Sequence, residues 1–222
     1  MHVWDMRQAA PAYRAQLPGK AFAMAYDGHR RLVVATSDRR VVAFDARKGA
    51  ASIGVGPEEE RESALRFQTR SIAAMGDGAG FALGSVEGRA SVEWFGDDPD
   101  STAKRFAFKC HRTRANGEDV AYPVNAVAFF PRSDGALVFA TGGAEGTVAT
   151  WDGNSRKRLW SSAAYPCGVS SLAVDQAGTR IAVAASYTWE RGDVDHAPDA
   201  IYVRTMSPKE VAPKASKKER AA

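Results

Sequence analysis

The chain has 222 residues, 45% of them hydrophobic, enough for one sizeable core, and carries a formal net charge of +4. No apolar stretch approaches the roughly eighteen residues of a membrane-spanning helix, so no membrane partner is expected. The positive excess does not argue for nucleic acid either. Lys209, Lys214, Lys217, Lys218 and Arg220, set against Glu210 and Glu219, place three of the four excess charges in residues 209–222. With Pro208 just before it, Pro213 and several alanines, that segment is expected to be a disordered basic tail. Two cysteines, Cys110 and Cys167, and no signal-peptide pattern predict free thiols in a reducing compartment.

In chain order, the first predicted element is a fragment, Val3-Trp4-Asp5, shaped like the closing strand of a unit whose earlier strands are missing. Strands follow over residues 21–26 and 31–36, then a turn at Arg39-Arg40 and a strand ending in Ala43-Phe44-Asp45. The Gly-rich, acidic stretch 49–60 is expected to be a loop. Short runs at 71–75, 81–85, 90–95 and 105–108, partly β-branched or aromatic, read as four consecutive strands separated by turn-formers such as Gly76-Asp77-Gly78 and Glu87-Gly88. Further strands are predicted at 124–130 and 136–141, with turns at Gly142-Gly143 and Glu145-Gly146 leading to Thr150-Trp151-Asp152. The last set is 169–174, 180–186 and the run Tyr202-Val203-Arg204. No helical periodicity competes.

Strand ends with an aromatic residue, mostly next to Asp, recur at spacings of about 40 to 57 residues, the blade length of a WD-repeat β-propeller. The predicted fold is therefore all-β: a propeller of four full blades plus a partial one. Residues 1–5 would be the end of a truncated blade, 6–208 four blades of one domain, and 209–222 the tail. A chain opening in mid-blade is expected to be part of a larger propeller, with apolar blade faces exposed at the break.

Arg70, Arg89 and Lys109 recur about every twenty residues, each at the edge of an apolar run. In an antiparallel meander the entrance to the first strand, the turn between second and third and the exit of the fourth share one end. The three cations would then form an anion-seeking rim, with Arg89 and Lys109 a blade-width apart. On pattern alone, ordinary solvated charge at strand edges is the favoured account of them.

Other chemistry is weakly signalled. Cys110-His111 lacks the four ligands of a zinc site, and His111 is expected to be a structural hydrogen-bonder. Asp193, Asp195 and His196 fall in a polar stretch, 189–198, expected to be a solvated loop. Trp94, Trp151 and Trp160 sit on strands and are expected to pack. Ser170-Ser171 lacks the glycines of a nucleophile elbow, and the glycines of 76–80 do not make a dinucleotide fingerprint. No enzyme, cofactor or metal is expected.

The strings RESALRFQTR (61–70), SVEGRASVEWF (85–95), KRFAFKCHR (104–112), AYPVNAVAFFP (121–131) and TGGAEGTVATWD (141–152) resemble the spindle-checkpoint WD-repeat family of the Bub group. The resemblance runs from about Arg61 to Arg204. A related family, the messenger-RNA-export WD-repeat factors that dock on a nucleoporin, is favoured by Phe81-Ala82-Leu83-Gly84-Ser85. Val92-Glu93, Tyr122-Pro123-Val124-Asn125, Arg156-Lys157-Arg158-Leu159 and Tyr165-Pro166 lean to the checkpoint family.

The checkpoint resemblance implies a non-enzymatic, seven-bladed propeller of the nucleus, and of the kinetochore in mitosis. It implies binding to Bub and BubR-type checkpoint kinases through a short peptide motif, and a composite surface that reads phosphothreonine on a kinetochore scaffold. Carried over by motif, Arg70 in QTR would pair with acidic groups of the kinase motif. Arg89 in EGR and Lys109 in FAFKC would contact phosphate. Aromatic residues that also grip the kinase motif would belong to earlier blades, outside this chain.

Overall fold

Short apolar runs punctuated by Gly and Asp leave little choice but strands joined by tight turns. The computed structural model describes residues 1–47, 50–115 and 117–213, which divide between two units, 1–124 and 125–222. In the first unit β1 (His2–Val3) pairs antiparallel with β2 (Tyr13–Arg14). A four-stranded sheet follows: β3 (Ala21–Tyr26), β4 (Arg31–Thr36) and β5 (Arg40–Asp45), then helix α1 (Ala50–Val55) and β6 (Glu59–Glu62). The next contains β7 (Thr69–Ala74), β8 (Gly80–Ser85) and β9 (Arg89–Trp94), then helix α2 (Pro99–Lys104) and β10 (Phe106–Lys109). A separate hairpin pairs β11 (Arg112–Ala115) with β12 (Glu118–Ala121).

The sheet of the second unit opens with β13 (Val124–Phe129) and continues through β14 (Val138–Gly143), β15 (Val148–Asp152) and β16 (Lys157–Ser161). A three-stranded sheet of β17 (Val169–Val174), β18 (Arg180–Ala185) and β19 (Ala200–Thr205) precedes helix α3 (Pro208–Val211). Every sheet runs in sequence order, the meander that the spacing of turns predicts.

Packing explains which strands are apolar throughout. Val33 and Ala35 of β4 and Val41 and Ala43 of β5 share a core with Leu65, Phe81, Leu83 and Phe95 of the following segment. The opposite faces of the same strands, Val34, Val42 and Phe44, pack on Ala15 and Ile53. In the second unit Val138, Ala140 and Val148 pack with Val169, Ile181 and Val183. Exposed apolar side chains gather on β3, where Met24 is 60% exposed, and on β19, where Ile201 is 75% exposed.

Several sequence expectations are corrected. The stretch 49–60 is not simply a loop, since it carries α1 and the start of β6, and Ile53 is buried against Phe44 and Val42. Among the described residues three short helices of four to six residues occur, too short for periodicity to reveal. Two have legible starts: Asp98 accepts from the Ser101 N–H ahead of Pro99, and Ser207 and Glu210 form a capping box around Pro208. The expected tail begins too early, because Lys209–Val211 lie in α3 and Val211 is buried. There the Glu210 carbonyl accepts from Thr150 Oγ1 at 2.6 Å and that of Val211 from Arg132 Nη1 at 3.1 Å. The rest of the tail, 214–222, lies outside the described residues. Gly142 and Gly143 belong to β14 and not to a turn. A Cβ at Gly142 would lie 2.4 Å from Val169 Cγ1, so this glycine answers to strand packing. Pairing of β1 with β2 extends the first sheet to Arg14, past the boundary drawn after residue 5.

The turn between β3 and β4 is organised by one buried carboxylate. Asp27, 7% exposed, accepts the backbone N–H groups of His29, Arg30 and Arg31 at 2.8, 2.7 and 2.9 Å. Burial raises its pKa, but those N–H groups outweigh burial and the net direction is down. A carboxyl lowered in the folded state contributes stability that is fully present above the unfolded value, about 3.9, and lost as pH falls through the folded one. Asp27→Ala should therefore cost about 2 kcal/mol at pH 7 by leaving three donors unpaired. The difference from wild type in urea melts should shrink as pH falls from 5 to 2. A difference constant with pH would refute an ionised Asp27.

Candidate phosphate-binding rim

In the β7–β10 meander the start of β7, the start of β9 and the end of β10 share one end of the sheet. Arg89 opens β9, Lys109 closes β10, and the two are Cα partners. Directly opposed residues have Cβ atoms about 4.5 to 5.5 Å apart. The two cations are thus neighbours on adjacent strands, closer than the blade-width separation expected from sequence. Lys109 is exposed and has no salt-bridge partner among the described residues. Arg89, with 32% of its side chain exposed, has Glu87 as its one acidic neighbour among the described residues, at 4.0 Å.

Arg70 is the second residue of β7 and is exposed. Thr69 faces Ser85 and Ser71 faces Gly84, so Arg70 is the extra residue of a β-bulge. A bulge leaves its extra residue out of the ladder and re-aims the side chain. Strand spacing puts Arg70 about 10 Å from Arg89, across two strands. The same irregularity recurs between Ala21 and Ala23 and between Val169 and Ser171. In the first unit it sets Phe22, 39% exposed, at the position in β3 that Arg70 holds in β7.

The preceding sheet supplies an internal comparison. Arg40 opens β5 as Arg89 opens β9, but the residue opposite Arg40 is Glu62, and Glu60 lies 3.7 Å from its guanidinium. Arg39, expected to lie in a hairpin turn, does so with φ +64° and pairs with Glu62. Like charges directly opposed across strands are destabilising, whereas opposite charges stabilise. Of these two sheets, the second sets two cations against each other at this place.

Gly88 holds that pair in register. Its φ is +67°, its carbonyl accepts the Cys110 N–H at 3.0 Å, and an added Cβ would lie 2.4 Å from the His111 carbonyl. Gly88→Ala should cost at least about 2 kcal/mol, the left-handed penalty plus displacement of the strand carrying Lys109. A wild-type Tm in thermal unfolding would contradict this.

The sequence did not single out Arg112. It opens β11, and its Nη2 donates to the Glu87 carbonyl at 2.8 Å and lies 3.8 Å from Glu87 Oε2. Beyond it Arg114 faces Asp119 in the hairpin. In the sequence the dipeptide Asn116-Gly117 is a hairpin signal, and β11 and β12 pair from Arg112 with Ala121 to Ala115 with Glu118.

The remaining residues take structural places. His111 is 2% exposed, and its carbonyl accepts the Tyr122 N–H at 3.0 Å. Asp193, Asp195 and His196 lie exposed in the segment between β18 and β19. Trp151 is buried and donates its indole N–H to Thr141 Oγ1 at 2.9 Å, while Trp160 lies under the Arg204 guanidinium at 4.3 Å. Among the described residues no three His, Cys, Asp or Glu side chains gather as metal ligands.

No protein-family model matches the chain. It is 43% identical over 216 residues to the mitotic checkpoint protein BUB3.1 of Arabidopsis thaliana, covering 95% of this chain and 61% of that one. Over most of its length the chain is similar to the Bub3 mitotic checkpoint proteins. The mitotic checkpoint protein bub3 of Dictyostelium discoideum is 39% identical over 208 residues, covering 93% of this chain and 60% of that relative. The protein RAE1 of Arabidopsis thaliana is 36% identical over 196 residues, covering 87% and 51%. The chain therefore spans between half and two thirds of the length of these relatives. Among solved structures, the β-propeller domain of Cps50 (Swd1) from Myceliophteria thermophila matches with a TM-score of 0.62 at 12% identity, covering 90% of this chain and 63% of that one. That likeness concerns fold alone: the chain is all-β, with the WD-repeat propeller architecture predicted from its aromatic register.

Proposed function

We propose that the chain is a non-enzymatic adaptor of the spindle-assembly checkpoint. Arg89 and Lys109 bind a phosphothreonine of a kinetochore scaffold, and Arg70 pairs with an acidic group of a short checkpoint-kinase motif. The observation that carries this reading is the opposition of Arg89 to Lys109, where the preceding sheet opposes Arg40 to Glu62. Two cations facing each other on a strand pair gain from an anion that bridges them. A phosphothreonine supplies close to two negative charges and three strong acceptors. Charge-assisted hydrogen bonds to it are worth roughly 1.5 to 3 kcal/mol each, whereas exposed ion pairs contribute about 0 to 1 kcal/mol. Selectivity for the phosphorylated peptide follows. Homology to mitotic checkpoint proteins supports the assignment, with a place in the nucleus and at the kinetochore. Calorimetry with a phosphothreonine peptide and its unphosphorylated counterpart tests it; at least about tenfold preference is expected, and equal affinity would overturn the reading.

A second reading, a messenger-RNA-export factor docking on a nucleoporin, is favoured by the likeness to RAE1. Pull-downs with a checkpoint-kinase peptide and a nucleoporin peptide separate the two. We expect capture by the kinase peptide and only shallow salt dependence of any RNA binding. A steep salt slope, the mark of many phosphate contacts, would favour export.

A further inference from the structure

The turn between β8 and β9 carries a carboxylate with an unusual place. In the equivalent turns Asp38 and Glu145 accept the hydroxyls of Thr36 and Thr147, so those carboxylates are used within their own turns. Ser85, at the place of Thr36, donates to the Arg89 carbonyl at 3.2 Å as Thr36 does to the Arg40 carbonyl at 3.1 Å, but gives no bond to the Glu87 carboxylate. The Glu87 carboxylate, 18% exposed, accepts no hydrogen bond among the described residues. It stands between two guanidinium groups, with Oε1 4.0 Å from Arg89 Nε and Oε2 3.8 Å from Arg112 Nη2. Arg112 is tethered there by its 2.8 Å bond to the Glu87 carbonyl, and its Nε is buried with no hydrogen-bond partner.

We infer that Glu87 is a specificity-determining residue of the anion site: an internal carboxylate that guards Arg89 and moves onto Arg112 when an incoming dianion displaces it. This rests on the reading of Arg89 and Lys109 as the phosphate pair. The physical case is a competition. An anion reaching Arg89 must replace the single charge of Glu87. A phosphate carrying nearly two charges and three acceptors does so, while a carboxylate exchanges like for like and gains little. The displaced Glu87 is not stranded, because Arg112 offers a neighbouring donor and an unpaired Nε whose satisfaction is itself favourable. Glu87 therefore sets a threshold that excludes aspartate- and glutamate-bearing segments from the rim, and Arg112 is the positioning residue that lets phosphate cross it.

The test titrates the isotopically labelled chain with inorganic phosphate, following the Arg89 side-chain resonance by NMR, in wild type, Glu87→Gln and Arg112→Gln. Calorimetry then compares a phosphothreonine peptide with its glutamate-substituted counterpart. Glu87→Gln, nearly isosteric, should bind inorganic phosphate about two- to fivefold more tightly, the size of a partly exposed ion pair. Its preference for phosphothreonine over glutamate should fall by at least about threefold. Arg112→Gln should weaken phosphate binding, because Glu87 then keeps Arg89. Unchanged or weaker phosphate affinity in Glu87→Gln would overturn the proposal, since a carboxylate that merely shapes the turn gives that result. If phosphate tightens in Glu87→Gln but no variant binds the phosphopeptide, the guard stands and the phosphopeptide reading falls.

Discussion

Arg89→Glu is expected to reduce phosphothreonine-peptide affinity by at least about a hundredfold without unfolding the chain. The binding loss combines a missing charge-assisted bond, roughly 1.5 to 3 kcal/mol, with repulsion between the new carboxylate and the phosphate of similar size. The fold has little to lose, since the nearest acidic group to Arg89 is Glu87 at 4.0 Å and the side chain is a third exposed. The substitution also places a carboxylate opposite Lys109, recreating in the second sheet the opposite-charge pair that Arg40 and Glu62 form in the first. Circular dichroism and Tm should therefore match or slightly exceed wild type while calorimetry shows no binding heat. Wild-type affinity in a folded Arg89→Glu chain would remove Arg89 from the site. Lys109→Arg is the complementary variant: charge is kept and a planar fork gained, so affinity should hold or rise a fewfold.

Much of this rim is legible in the sequence because strand periodicity and turn residues determine which end of a sheet a residue occupies. Arg70, Arg89 and Lys109 can be assigned to one end from the turns alone, and the observed meander puts them there. What periodicity cannot supply is lateral distance. Whether Arg89 and Lys109 are adjacent depends on register, and the bulge at Arg70 shifts that register locally without a sequence signature of its own. Arg112 and Glu87 were missed for another reason. Their proximity needs the chain to turn after Lys109 and re-enter as β11, a path fixed by the Cys110 N–H to Gly88 and Tyr122 N–H to His111 hydrogen bonds.

The fold shows the same division. The first three strands of each four-stranded sheet are broadly predicted by apolar runs and flanking glycines or aspartates, because both faces of the middle strands are buried. Outer strands are less legible. Glu59–Glu62 is wholly charged and becomes β6 through ladder bonds to β5 and through Arg61, which is drawn inward between Glu93 and the Trp94 carbonyl. Desolvation dominates there and lowers the Arg61 pKa from its usual value. Composition called that region a loop; long-range pairing made it a strand.

Phe81→Ala should have the largest effect on stability. Phe81 lies in the second strand of its sheet, is fully buried, and shares one core with Val33, Ala35, Val41 and Ala43 of the preceding sheet and with Leu83 and Phe95 of its own segment. Its ring centroid is 5.4 Å from that of Phe95. Truncation leaves a cavity between two sheets whose backbones are held by their own ladders and cannot collapse into it, so the cost should approach about 3 to 5 kcal/mol. Against a usual total of about 5 to 15 kcal/mol, that moves the denaturant midpoint a long way. Ile201→Ala removes a branched side chain from β19 that is 75% exposed, and should stay within about 0.5 kcal/mol. Paired urea melts decide the matter, because each substitution truncates a large apolar side chain, one buried and one exposed. Similar midpoint shifts would mean that Phe81 does not join the two sheets into one core. The rim would then owe its geometry to the β7–β10 ladder alone.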